Sequence, residues 1–241
     1  MFDLKKLSVS DIIRCSSALR RLHEGAKSME DVAASTAQFL YRSLLDGAAG
    51  RPACALVRLY KTHPLGDLKP EDQAFARGLL GGEEASPETR CFTLLGTAGD
   101  EPQWNNRATS KEHKAIPLAT EPMIQRLPMI AGLLEQLGLP ASALAAGGAN
   151  TRLELEPKSF NLFHIERAKG SPIIPAQADF VERYGIASVI GFGAVLPSAD
   201  VFAVLLFSKV PVSRDVAELL NALPLHCKLA LLRFAQGPIF N

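Results

Sequence analysis

Three groups of residues in this chain have the types and spacing that chemistry requires. The first is His164-Ile165-Glu166, an H-x-E triplet like that of zinc deaminases. That chemistry needs a downstream P-C-x-x-C to complete the metal site, and none follows. The second is Gly191-Phe192-Gly193, which opens like a dinucleotide loop, but Leu196 stands where the third glycine belongs. The third is Arg58, on the strand expected over 53–60. There Ala53, Ala55, Val57 and Leu59 make an apolar face, while Cys54, Leu56, Arg58 and Tyr60 make a mixed one. In the strand expected over 91–97, Phe92 and Leu94 share one side, and Cys91, Thr93, Leu95 and Thr97 the other. Two such strands side by side present a half-polar surface, with two readings. It is either the floor of a pocket, which is mostly apolar with a few placed polar groups, or a solvent-facing side on which Arg58 makes a salt bridge.

Further candidates lie off these strands. Trp104, His113 and Lys114 fall in the polar stretch 99–120, where binding residues often occur. The alternative there is a solvated loop that Trp104 pins to the body. His164 is either a ligand contact or a rim histidine with a backbone partner. Tyr184 follows "SPIIPAQADF", a proline-bearing segment that serves as a lid or as a stiff connector. The small-molecule contacts expected are thus Arg58, Tyr60, Cys91, Thr93, Trp104, His113, His164 and Tyr184. A haem would use His164, His113 or Cys91 as its axial ligand, and nothing in the local sequence selects it, so the cofactor stays unknown. H-E-x-x-H and G-x-S-x-G are both missing.

The bulk numbers narrow the classes. The 241 residues suffice for one large domain or two small ones, and 47% hydrophobic with 21% charged residues is a globular composition. A net charge of +1, with no basic stripe interleaved with aromatics, argues against nucleic acid. Cys15, Cys54, Cys91 and Cys227 are scattered without a C-x-x-C pair, which suits reduced thiols in the cytoplasm. The stretch 185–209 approaches the length of a membrane span, but the turn formers at 197–200 interrupt it and Asp200 would lie near its centre. It reads instead as a buried hairpin, 187–195 with 201–208, and no membrane partner is expected.

The elements that must position these residues follow from local signals. Ser10-Asp11 starts a helix with Ile12, Cys15, Leu19 and Leu22 on one face. Ser28-Met29-Glu30-Asp31 resembles a capping box and opens a second helix. A short helix over 71–80 follows Pro70, a helix over 122–138 breaks at Pro128, and 142–150 is an Ala/Gly linker. A third strand is expected over 160–166. A closing amphipathic helix over 213–235 is kinked by Pro224. This order predicts an α+β fold: a central antiparallel sheet, N- and C-terminal helices on one face, and a helical and loop insertion over the other.

That order, together with "CALVRLYKTHPLGDL", "CFTLLGTAGDEPQWNNR" and "NLFHIERAKGSPIIPAQADFVERYGIASVIGFGAVLPSADVFAVLLFSKVPV", resembles the GAF-like sensor (input) domains of bacterial signalling proteins such as sensor histidine kinases. The resemblance covers nearly the whole of residues 10–235. It implies a cytoplasmic, non-enzymatic module that senses a small ligand. It also implies a homodimer whose terminal helices relay the signal to a downstream kinase, PAS or phosphatase domain. The division expected is an N-terminal dimerisation helix, 1–27, and a GAF-like domain, 28–241. The Asn-Lys-x-Asp pattern by which some GAF domains hold cyclic nucleotides does not occur here, nor does the Cys-His pair that tethers bilins. Two alternatives stand beside the sensor: a cysteine-dependent enzyme of the same fold working through Cys91, and a ligand-free dimerisation or protein-interaction module.

Overall fold

The computed structural model describes residues 1–82, 85–110, 112–145 and 162–241. Three minor strands, β1 (Phe2–Asp3), β2 (Leu44–Asp46) and β3 (Arg51–Pro52), form a small sheet at one side. The main sheet uses β4 (Cys54–Pro64), β5 (Arg90–Gly99), β6 (Ala115–Pro117), β7 (Phe163–Ile165), β8 (Ser188–Val195) and β9 (Val201–Ser208) in the order β6-β5-β4-β9-β8-β7, antiparallel throughout. The third strand is shorter than the sequence suggests; positions 160 and 161 lie outside the described residues, as does most of the expected 142–150 linker. The small sheet and β6 were not foreseen, because two or three residues carry too little pattern to read.

Helices α1 (Val9–Arg20) and α2 (Met29–Ser43) pack on one face of the sheet. They are joined there by α7 (Arg214–Leu219) and α8 (Leu223–Leu231) of the closing segment. α1 begins at Ser8 rather than Ser10, where Ser8 and Asp11 cap each other reciprocally. The closing helix breaks around Pro224 as expected, a 3-10 turn at Leu220–Ala222 preceding α8. Over the other face lie α4 (Glu121–Gln125), α5 (Pro128–Gln136), α6 (Ala141–Ala145) and a π-helical turn, Gln177–Glu182. The remaining helix, α3 (Pro70–Leu80), starts at Pro70 and sits beside β6 at the sheet's end. This is the layered α+β arrangement expected from the sequence.

Two small residues let the layers meet. A Cβ on Gly96 of β5 would collide with the backbone of Ala33 in α2, so that helix lies directly on the sheet. A Cβ on Gly191 of β8 would come within 3.0 Å of Leu133 in α5. Close helix packing, rather than a phosphate cradle, is therefore the role of the glycine pair's first member.

The β8–β9 hairpin is fixed by one carboxylate. Leu196 N–H donates to Asp200 O (2.7 Å), and Ala199 takes φ 63° in the turn between them. Asp200 then accepts from Lys61 Nζ (2.8 Å) and Arg90 Nη1 (3.0 Å), tying the turn to β4 and β5. Burial alone would raise the Asp200 pKa, but Lys61, Ser198 and Arg90 outweigh it and hold it below the usual carboxylate range. A depressed carboxylate pKa stabilises the fold above its unfolded value of about 3.9, and that stability is lost as pH falls through the lowered native value. Asp200→Asn leaves Lys61 buried without its counter-charge and is expected to cost about 3–5 kcal/mol. Urea unfolding at pH 7 checks this; a loss below about 1 kcal/mol would make the pair a surface ion pair in effect.

Candidate functional site

Strand β4 is buried along ten consecutive residues, Cys54 to His63, so its charged side chains must find partners inside the protein. Arg58 points to the insertion side, flanked by Leu56 and Tyr60, with Thr97 opposite it on β5 and Leu205 on β9. It is 8% exposed. Its Nη1 donates to Tyr60 Oη and its Nη2 to Ser110 Oγ, both at 3.2 Å, and its Nε has no partner among the described residues. The register-paired Thr97 Oγ1 is likewise buried and without a partner among the described residues. Tyr60 is held flat against Phe92, with ring centroids 5.3 Å apart and planes 7° from parallel.

Among the described residues, Arg58 makes no salt bridge. The insertion offers five acids, Asp100, Glu101, Glu112, Glu121 and Glu135. Asp100 accepts from Lys209 Nζ (2.8 Å) and Tyr41 Oη (2.7 Å), and Glu101 accepts from Tyr184 Oη (3.1 Å). Glu112, Glu121 and Glu135 are exposed. Among the described residues, then, a buried guanidinium has only two hydroxyl oxygens to bond. A planar cation with a free Nε–H, beside a hydroxyl with nothing to bond, is a ready receptor for a carboxylate, phosphate or carbonyl oxygen.

His113 belongs to the same neighbourhood. It sits at φ 58°, and although the residue is exposed overall, desolvation by its neighbours, followed by the charge of Arg58, holds its pKa below the ordinary histidine value. Trp104 and Tyr184 come together beside this cluster rather than in it. Their rings lie 4.6 Å apart, and Phe180 packs on both and on Phe207 of the sheet. Trp104 thus pins the polar excursion to the π-helical turn, which was the structural alternative for that residue.

Three of the expected contacts lie elsewhere. His164 falls on the opposite side of β7 from Phe163 and Ile165; its Nε2 bonds Val212 O (3.0 Å), as a rim histidine would. Cys91 belongs to a separate apolar cluster with Leu65, Leu68, Ala76 and Ala115. Thr93, paired with Lys61, faces away from Tyr60 and donates to Cys91 O (3.2 Å). The physical reason is a β-bulge. Leu59 pairs with Gly96 and Tyr60 with Leu94, so Leu95 is an extra residue that reverses the alternation of β5. Phe92, Leu94 and Thr97 therefore share the insertion side, whereas the unbroken pattern put Thr97 with Cys91 and Thr93. A second irregularity, between Cys54 and Leu56, exchanges the places of Cys54 and Ala55: Cys54 packs with the terminal helices and Ala55 with the insertion. Ser110 has no sequence signal at all, being a loop serine brought to Arg58 only by the fold.

The other chemistry considered finds little support. Burial pushes the Cys15, Cys54 and Cys91 thiols up to about 12, and Cys227 higher still, whereas a nucleophilic cysteine needs a lowered pKa. Among the described residues no three His, Cys, Asp or Glu side chains gather as metal ligands, and no helix is long and apolar enough to cross a membrane.

No family model matches the chain, and neither does any curated protein. Solved structures do resemble it. The phycocyanobilin-bound GAF domain from a cyanobacterial phytochrome is 14% identical, with 96% of each chain covered and a TM-score of 0.43. The phycoerythrobilin-bound GAF domain from a cyanobacterial phytochrome is 12% identical, with 95% of this chain and 98% of that one covered and a TM-score of 0.41. Both are GAF domains, the family whose resemblance the sequence carries. Likeness at this level fixes neither the architecture of this chain nor any ligand it holds.

The proximity of Arg58 to His113 has a measurable consequence. Arg58→Gln removes the positive neighbour that disfavours the imidazolium, so the His113 pKa should rise toward about 6.5. Titration by NMR reads this directly, and an unmoved His113 would show that the two side chains do not share a site.

Proposed function

We propose that this chain is a GAF-like sensory input module that binds a small ligand between the mixed face of its sheet and the 99–140 insertion. The observation that carries the reading is Arg58, a buried cation whose partners among the described residues are two hydroxyls. A buried charge persists when it is paired and hydrogen-bonded, and a ligand oxygen completes this one. The ligand is therefore an acid, a phosphate or a compound with an exposed carbonyl, bonded by Arg58 and Thr97 with His113 and Tyr60 alongside. The role assigned to the site is recognition of this ligand.

The relay belongs to the terminal helices. Val9 and Ile13 on α1 are 64% and 61% exposed, and Leu225 and Leu229 on α8 are 49% and 42% exposed. Each pair is spaced i, i+4, so each forms an apolar ridge on its helix, and α1 packs on α8. A two-fold axis through these ridges buries them against their own copies and makes a homodimer. The helices then lead to an output domain such as a kinase, a PAS domain or a phosphatase, in the cytoplasm. Coupling of about 1–3 kcal/mol between ligand and dimer geometry is enough for a switch.

Two experiments test this. Native mass spectrometry of protein purified from its own host should show a bound small molecule that Arg58→Ala lacks. Because its partners among the described residues are uncharged hydroxyls, with no carboxylate orphaned among them, Arg58→Ala should cost less in ligand-free protein than the about 3–5 kcal/mol of a broken buried ion pair. A large drop in the ligand-free melting temperature would make Arg58 a structural residue and end the binding role. For the dimer, Ile13→Asp should shift sedimentation from dimer to monomer; wild-type protein that is already monomeric at high concentration would refute the helix interface.

A further inference from the structure

Beyond the last helix the chain turns back across the molecule, and residues 238–241 seat at the start of α2. Met29 N–H donates to Pro238 O (3.0 Å) and Glu30 N–H to Ile239 O (2.8 Å), which satisfies two amides that a helix leaves free at its first turn. Asn241 adds three polar links. Its N–H donates to Glu30 Oε2 (3.3 Å), its side-chain amide donates to Asp31 Oδ1 (2.7 Å), and its carbonyl accepts from Lys69 Nζ (2.9 Å). Between these anchors Phe240 lays its ring against His63, with centroids 5.6 Å apart. The Arg107 guanidinium stands 5.0 Å from the Phe240 ring centre and the Lys69 ammonium 5.5 Å, both within range of a cation–π attraction.

The seat is specific but lightly held. Only Ile239 and Phe240 are half-buried, and the rest of 236–241 is exposed. Segments with few buried apolar groups and solvent-exposed hydrogen bonds open locally well before the fold does. One residue links this seat to the candidate ligand site. Arg107, itself buried, donates from Nε to Leu94 O (2.8 Å), pairs with Asp72 of α3 and supports the Phe240 ring. Three residues further along the same loop, Ser110 holds Arg58. A ligand oxygen that draws Arg58 away from Ser110 releases one fixed point of the loop on which Arg107 stands.

We propose that residues 236–241 are a releasable latch, seated on α2 and Arg107 while Ser110 holds Arg58 and loosened when that bond is broken. The latch passes the state of the Arg58 site to the segment that follows the last helix. The coupling rests on the ligand-binding reading above; the latch itself does not.

Amide hydrogen exchange at Met29 and Glu30 in the full chain reads the seat directly, because the tail accepts both protons. Phe240→Ala should speed exchange at these two amides at least about tenfold, and Ser110→Ala should speed it by about threefold. In both variants Ile190 and Leu206, in the β8–β9 hairpin, should keep their wild-type rates, which separates latch release from general destabilisation. Unchanged rates in Phe240→Ala overturn the latch. Faster exchange in Phe240→Ala with wild-type rates in Ser110→Ala overturns the coupling. Neither measurement uses a ligand, so this proposal can fail while the binding reading stands, and the reverse.

Discussion

The rest of the molecule depends on one constraint: β4 is covered on both faces and yet carries two cations. A lysine and an arginine three residues apart, on opposite sides of a fully buried strand, cannot both be left to solvent. The protein treats them differently. Lys61 receives Asp200 from the hairpin turn, and that pair fixes where β8 and β9 sit against the centre of the sheet. Arg58 receives Tyr60 and Ser110, neither of which carries charge. The same strand therefore holds one settled electrostatic problem and one open problem. The settled one builds the fold, and the open one defines the site.

The loop from 101 to 114 distributes this asymmetry. Trp104 fastens it to Phe180 and Tyr184 on one side, and Arg107 fastens it to Asp72 and the β5 backbone on another. Ser110 lies beyond these two fixed points and reaches Arg58. A long polar connection would ordinarily be free to vary, but here each third or fourth residue is committed to a different element. Trp104, Arg107 and Ser110 each tie it to a different part of the structure.

What the sequence disclosed was whatever chemistry acts locally. The hairpin could be read because Pro197 and Asp200 interrupt two β-branched runs, and the breaks at Pro128 and Pro224 because proline lacks the helical donor. The layering followed from the order of these elements. The membership of the site was only half legible. Alternation assigns faces correctly until a bulge intervenes, and one extra residue at Leu95 was enough to misplace Cys91 and Thr93 relative to Arg58. Ser110, Arg107 and Phe240 were invisible because their partners lie 52, 35 and about 177 positions away along the chain, with nothing in the nearby residues to mark them.

The contact between Gly96 and Ala33 has a mechanical meaning as well as a packing one. With no side chain between them, the backbone of α2 bears on the backbone of β5. Interiors are close-packed and resist compression, so the helix has no room to approach further, and lifting it would open a void along the sheet. The displacements left to α2 are sliding along its own axis and rolling about it. The sheet then serves as a bearing surface for α2, whose C-terminal end leads into the small sheet and whose N-terminal end carries residues 238–241.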